Sequence, residues 1–178
     1  MNTYVALIRG INVGGKNSLP MKKLVAILES LGFDGVKTYI QSGNVVFRSK
    51  RKCSRSTATK ISTEIKNKIG FQPKVLLLSA SELRNAAKNV PFQARDGKLL
   101  HLFFLAAAPS DPDFAKLDAL KTSTERYKLD GAVFYLHAPD GIARSKLVAN
   151  LEKALGEAAT GRNWNTVGKL LEMAGAAA

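Results

Sequence analysis

Two segments in opposite halves of the chain read as one design written twice: Thr38–Phe47 is TYIQSGNVVF and Tyr127–Leu136 is YKLDGAVFYL. In each, two short β-prone runs flank a turn, Gln41-Ser42-Gly43-Asn44 in the first and Asp130-Gly131 in the second. Each segment therefore predicts a β-hairpin. A duplicated hairpin restricts the folds open to the rest of the chain, because each copy must find partners for its remaining strand edges.

The segments around the first hairpin supply them. Thr3–Ile8 is a short apolar run ending at Arg9-Gly10, which predicts a buried strand. Met21–Leu31 places Leu24, Ile27, Leu28 and Leu31 at helical spacing, with Gly32 suited to the cap. After the hairpin strands Val36–Ile40 and Val45–Arg48 come a basic loop, Ser49–Ser56, a helix over Thr57–Ile69 closed by Gly70, and a strand over Val75–Leu78. The order β-α-β-β-α-β is the ferredoxin-like, split βαβ unit. Ser79-Ala80-Ser81-Glu82 reads as a capping box that opens a connecting helix, stopped before Pro91.

The second half repeats the order more weakly. It offers a strand over Leu99–Leu105, a helix over Pro112–Lys121 with Ser110 or Asp111 as cap, and the hairpin Arg126–Leu129/Ala132–Leu136. A helix over Ser145–Leu155 and a last helix over Thr166–Met173 follow, before an alanine-rich tail expected to fray. The expected class is α+β, with two similar ferredoxin-like halves built on antiparallel sheets. The boundaries fall at 1–78, 79–98 (connecting helix and loop) and 99–178.

Charge divides the halves. Of a net +13, residues 1–89 carry sixteen Lys and Arg against four Asp and Glu, whereas residues 90–178 are nearly balanced. A one-sided positive field attracts polyanions and phosphorylated ligands; scattered surface lysines serving solubility are the plainer reading. No apolar run approaches the roughly 20 residues that span a bilayer, so no membrane partner is expected. A single cysteine and the absence of a signal-peptide pattern point to the cytoplasm.

Three segments, YVALIRGINVGGKNSLPM, TYIQSGNVVF and GRNWNTVGKLLEMA, together resemble the bacterial family of unknown function numbered 1697, across essentially the whole chain. The resemblance implies a compact α+β fold and carries no activity, because the family has none established.

The candidate site is the loop Gly10–Asn17, GINVGGKN. It fits G-x-x-x-x-G-K after a strand and before a helix, but puts Asn17 where a P-loop needs Ser or Thr for Mg²⁺. Pro20 also keeps Lys16 out of the helix's first turn, and no Walker B aspartate follows, which argues against nucleotide hydrolysis. An anion could still use Arg9, Asn12, the amides of Gly14 and Gly15, Lys16 and Asn17. Alternatively the asparagines satisfy their own backbone. Antiparallel pairing should bring the second turn to the same edge, adding Gln41, Ser42 and Asn44, which hairpin chemistry alone also explains.

Elsewhere, Arg162 and Trp164 could form a phosphate contact and a stacking platform, or a helix start with a buried staple. Cys53 lies among Lys50, Arg51, Lys52 and Arg55, cations that would favour the thiolate; an ordinary loop cysteine is the other reading. His101, His137 and one cysteine do not make a metal site by spacing, and no catalytic constellation is apparent.

These readings combine into a non-catalytic binding protein for an anionic ligand, nucleic acid first among the partners. The rival is an enzyme acting on a small phosphorylated metabolite at the Arg9–Asn17 loop, with Arg9 and Lys16 as electrostatic stabilisers. A purely structural interaction module is the third. Ligand, cofactor, oligomeric state and any activity stay open at this level.

Overall fold

The computed structural model describes residues 1–176. The chain divides into two compact units, Met1–Asn85 with the chain from Gly168, and Ala86–Val167.

The first unit is built on four strands, β1 (Asn2–Arg9), β2 (Asp34–Tyr39), β3 (Asn44–Ser49) and β4 (Lys74–Ser79), in the order β2-β3-β1-β4. All neighbours are antiparallel. Two helices, α1 (Met21–Ser30) and α2 (Arg55–Ile69), complete the ferredoxin-like order. β1 lies between β3 and β4 and is buried on both faces from Tyr4 to Ile8, which is why its sequence is almost continuously apolar rather than alternating. Tyr4, Ala6 and Ile8 join Val45 and Phe47 of β3 in a core with Leu24, Ile27 and Leu28 of α1 and Ile61 and Ile65 of α2. α2 opens with the Ser54 amide donating to Thr57 Oγ1 at 3.1 Å and closes on Gly70 at φ 100°. The basic loop is therefore shorter than expected, since Arg55 is already the first residue of α2.

The second unit repeats the topology with β5 (Leu100–Leu105), α4 (Phe114–Leu120), β6 (Arg126–Asp130), β7 (Val133–His137), α5 (Lys146–Leu155) and β8 (Ala159–Asn163), ordered β6-β7-β5-β8. The antiparallel register sets Phe103 opposite Phe134 of β7 and Gly161 of β8. Its core gathers Phe103, Leu105, Phe134 and Leu136 with Leu117 of α4 and Leu147, Leu151 and Leu155 of α5.

Each fourth strand runs straight into a further helix, α3 (Ala80–Lys88) after β4 and α6 (Trp164–Ala176) after β8. The repeat is thus seven elements long. The capping box expected at Ser79 is present: its amide donates to Glu82 Oε2 at 2.7 Å and its hydroxyl accepts from the Glu82 amide at 3.2 Å.

Two expectations need correction. α4 is capped by Asp113, whose carboxylate accepts from the Lys116 amide at 2.9 Å, not by Ser110 or Asp111. And β8 occupies a stretch read as the approach to a helix; ATGRN has too little apolar alternation to signal a strand. Gly161 explains why the pairing works. A Cβ there would lie 2.6 Å from Phe103 Cε1, so only glycine lets the strand pass under the ring. Residues 177–178, the end of the alanine-rich tail, lie outside the described residues.

Candidate functional site

The chain leaves β1 at Arg9 and turns through Gly10–Pro20 before α1. Gly14 and Gly15 both have left-handed backbones, φ 58° and 73°, and the Lys16 amide donates back to Val13 O at 3.0 Å. That is a tight two-residue turn of the kind glycine pairs allow. Asn12 and Asn17 are left-handed too, φ 55° and 52°, a conformation asparagine tolerates better than most residues.

Their side chains work inside the loop. Asn12 Oδ1 accepts from the Leu19 amide at 2.7 Å, while its Nδ2 donates to Leu19 O at 3.0 Å and Gln41 O at 2.8 Å. Asn17 Nδ2 donates to Gly10 O at 2.9 Å. The Asn12–Gln41 bond ties the loop to the β2–β3 turn.

That turn packs on the end of β1. The Ile8 amide donates to Gly43 O at 2.8 Å, and Asn44 stands opposite Leu7 in the register. Asn44 is fully buried, donating from Nδ2 to Ser42 Oγ at 2.8 Å and Tyr39 O at 3.2 Å. Ile40 occupies a left-handed backbone at φ 49° although it is β-branched and exposed.

Arg9, Asn12, Gly14, Gly15, Lys16, Asn17, Gln41, Ser42 and Asn44 therefore gather at one end of the first sheet. The three asparagines point their amides at protein oxygens. What faces outward is the exposed Lys16 ammonium, which forms no ion pair among the described residues. The loop departs from a phosphate cradle in a second respect. α1 starts only at Met21, behind Pro20 and without a side-chain cap, so the glycines lie several residues before its first turn.

Arg162 and Trp164 belong to the second unit. Arg162 lies in β8 opposite Leu102, and burial pulls its guanidinium down to about 10, so it keeps its charge at neutral pH. Trp164 is half-buried at the first position of α6, its amide donating to Gly97 O at 3.0 Å. The cap of α6 is Asn163, whose Oδ1 accepts from the Thr166 amide at 2.9 Å.

The basic loop lies at the other end of the first sheet. Lys50, Arg51 and Lys52 are consecutive and exposed, and none makes an ion pair among the described residues. The backbone carrying them is fixed on both sides. Ser49 Oγ donates to Arg51 O at 2.8 Å, and the Cys53 amide donates to the buried Tyr4 hydroxyl at 3.1 Å. Cys53 itself packs on the first core, and that burial raises its thiol above the ordinary value, outweighing the hydrogen bonds from Ser49 and Thr57 that favour the thiolate. The thiolate reading is corrected accordingly.

No group of three or more His, Cys, Asp and Glu residues among those described could hold a metal ion, and no helix among them is long and apolar enough to cross a membrane. His101 is buried beside Phe103 on the core face of β5, and burial holds its imidazole below the usual 6.5. The folded state thus prefers the neutral ring, while the unfolded chain takes up a proton near 6.5. This contribution to stability is complete above that pH and is lost as the pH falls below it. We expect the melting temperature to drop between pH 7 and 5, and the drop to be shallower in His101→Gln. Equal slopes for both proteins would show that His101 does not set the dependence.

The family model described as a protein of unknown function, DUF1697, matches residues 1–135. A search of the curated proteins finds no match. Among solved structures, a conserved bacterial protein from Streptococcus pneumoniae is similar, with a TM-score of 0.74 and 26% identity over 97% of this chain and 98% of that one.

Proposed function

The chain belongs to the DUF1697 family of proteins of unknown function, and from that premise we propose that it is a non-catalytic, cytoplasmic binding protein for an anionic ligand, with nucleic acid as the partner class. One observation carries the reading: Lys50, Arg51 and Lys52 form an exposed run of cations without carboxylate partners, on a loop whose backbone is held by Ser49 and Tyr4. Unpaired cations on a fixed segment keep their full charge for a phosphate backbone, and they lie in the half of the chain that holds nearly all the net charge. Arg55, at the first position of α2, adds a further positive charge next to this loop.

The Arg9–Asn17 loop gives less support to the rival, an enzyme acting on a phosphorylated metabolite there. Its asparagine amides are engaged by the backbone, and Lys16 is the cation it turns outward.

The test is a salt titration of binding to a fluorescent oligonucleotide. Reversing Lys50, Arg51, Lys52 and Arg55 to Glu should weaken binding to every sequence alike. It should also flatten the log–log salt slope by roughly 0.7–0.9 for each lost phosphate contact, whereas Lys16→Gln should change the slope by at most one contact. Absence of binding by the unmodified chain at low salt would overturn the proposal.

A further inference from the structure

β1 is flanked by antiparallel strands on both sides, so its first residues meet the last residues of β3 and of β4 together: Asn2 stands opposite Ser49, and Tyr4 opposite Ser79. The basic loop leaves from β3 and α3 leaves from β4, so three segments converge at this end of the sheet. Between them lies an open cavity of about 530 Å³. This is the end opposite the Arg9–Asn17 loop.

We propose that this cavity is a binding site for a phosphomonoester. Its size is that of a metabolite or single-nucleotide pocket. Lys52 and Arg84 both line it, and no carboxylate does. Neither cation is engaged in an ion pair or hydrogen bond among the described residues, so two positive charges face the space with nothing to neutralise them. Two cations match the charge of a phosphate dianion, and a guanidinium can grip two of its oxygens at once.

The uncharged lining suits the same ligand. Asn2, Thr3 and Ser81 offer an amide and hydroxyls at the wall, and Tyr4 contributes a buried ring. Tyr4 also fixes the cavity's shape, because its hydroxyl takes the Cys53 amide at 3.1 Å and so holds Lys52, one residue earlier, at the rim. The acidic side chain nearest in sequence, Glu82, is held by the capping interaction, accepting from both the amide and the hydroxyl of Ser79 at 2.7 Å. In the sequence Arg84 looks like an ordinary exposed helix residue; β4 and α3 bring it beside the start of β1.

The proposal stands apart from the polyanion reading and shares only Lys52 with it. Phosphomonoesters come from two sources, free phosphorylated metabolites and the terminal phosphates of nucleic-acid strands. The test uses the full chain and calorimetric titration with inorganic phosphate, a nucleoside monophosphate and its unphosphorylated nucleoside, and paired oligonucleotides with a 5′-phosphate or a 5′-hydroxyl. A phosphate-dependent gain with the monophosphate assigns the site to free metabolites, and a gain confined to the 5′-phosphorylated strand assigns it to nucleic-acid ends; either supports the proposal. In each case Arg84→Gln should weaken binding about tenfold or more, Arg84→Lys should weaken it less, keeping the charge but losing the two-oxygen grip, and Lys16→Gln should leave it unchanged. Because Arg84 is exposed on α3, its replacement leaves the fold intact. If phosphate makes no difference in any pair, or Arg84→Gln binds as the unmodified chain does, the cavity is not a phosphate site. That outcome leaves low-salt binding of oligonucleotides through the basic loop as a separate question with its own answer.

Discussion

Gly43→Ala should cost the first unit about 3–4 kcal/mol, far more than the same change at Gly131 in the second hairpin. Gly43 has φ +77°, where a side chain is strained whatever the space, at about 1–2 kcal/mol for the left-handed region. Space is lacking as well. A Cβ there would sit 2.6 Å from Ile8 O, 2.8 Å from Ile8 Cβ and 3.1 Å from Ile11 Cδ1, so β1 or the turn must move, an overpacking penalty of about 1–3 kcal/mol. Movement would lengthen the Ile8 N–H to Gly43 O bond that seats the turn on the central strand. Gly131 shares the strain, at φ +55°, but a Cβ there meets nothing within 4 Å, so its replacement should cost about 1 kcal/mol. Hydrogen exchange of the β1 and β7 amides reads the two units separately. Equal losses of protection in the two variants would refute the packing argument.

The contrast shows what could be read before the fold was known. Both glycines were legible as turn residues from composition alone. That Gly43 lies against Ile8 follows from antiparallel pairing of the third strand with the first, which the β-α-β-β-α-β order implies. The same topological step placed Gln41, Ser42 and Asn44 beside the Arg9–Asn17 loop. It could not say what those amides would bond to. Partner choice rests on the left-handed backbones of Asn12 and Asn17, which turn the Asn12 side chain onto Leu19 and Gln41 and that of Asn17 onto Gly10.

Two other features were hidden for different reasons. β8 lacks the apolar alternation that signals a strand, and its pairing with β5 is permitted by Gly161 clearing the Phe103 ring, a contact that no pattern search over ATGRN would find. For Cys53, four cations adjacent in sequence left a stabilised thiolate open beside the ordinary loop cysteine, but the loop folds the thiol onto the first core, and burial outweighs the hydrogen bonds from Ser49 and Thr57 that favour the charged form. Charge was legible in amount and in half of the chain. Its division between an open loop and a cavity at the start of β1 needed the strand order and the position of α3.

Phe47→Ala should be about as damaging as Gly43→Ala, at about 4 kcal/mol, and should reach the cavity through Tyr4. Phe47 is fully buried, with its ring 4.4 Å from that of Phe33 and stacked at 5.9 Å on that of Tyr4, centroid to centroid. Removing a buried phenyl ring loses its transfer free energy and leaves a hole that the surrounding β-sheet and helices fill only partly, at about 3–5 kcal/mol. Tyr4 would lose the face it rests on. Its hydroxyl holds the Cys53 amide, so the loop bearing Lys50–Lys52 should loosen beyond the general fall in stability. Tyr4→Phe isolates that last link, keeping the ring and deleting the hydroxyl, for about 1 kcal/mol. Hydrogen exchange is again the measurement. Phe47→Ala should lower protection throughout β1 and β3, about a thousandfold for 4 kcal/mol. Tyr4→Phe should lower it chiefly at Cys53, while leaving β3 nearly unchanged. If Tyr4→Phe proves as costly across β3 as Phe47→Ala, the stability resides in the hydroxyl contact rather than in the aromatic core. If it leaves Cys53 protected, Tyr4 is not what holds the basic loop in place.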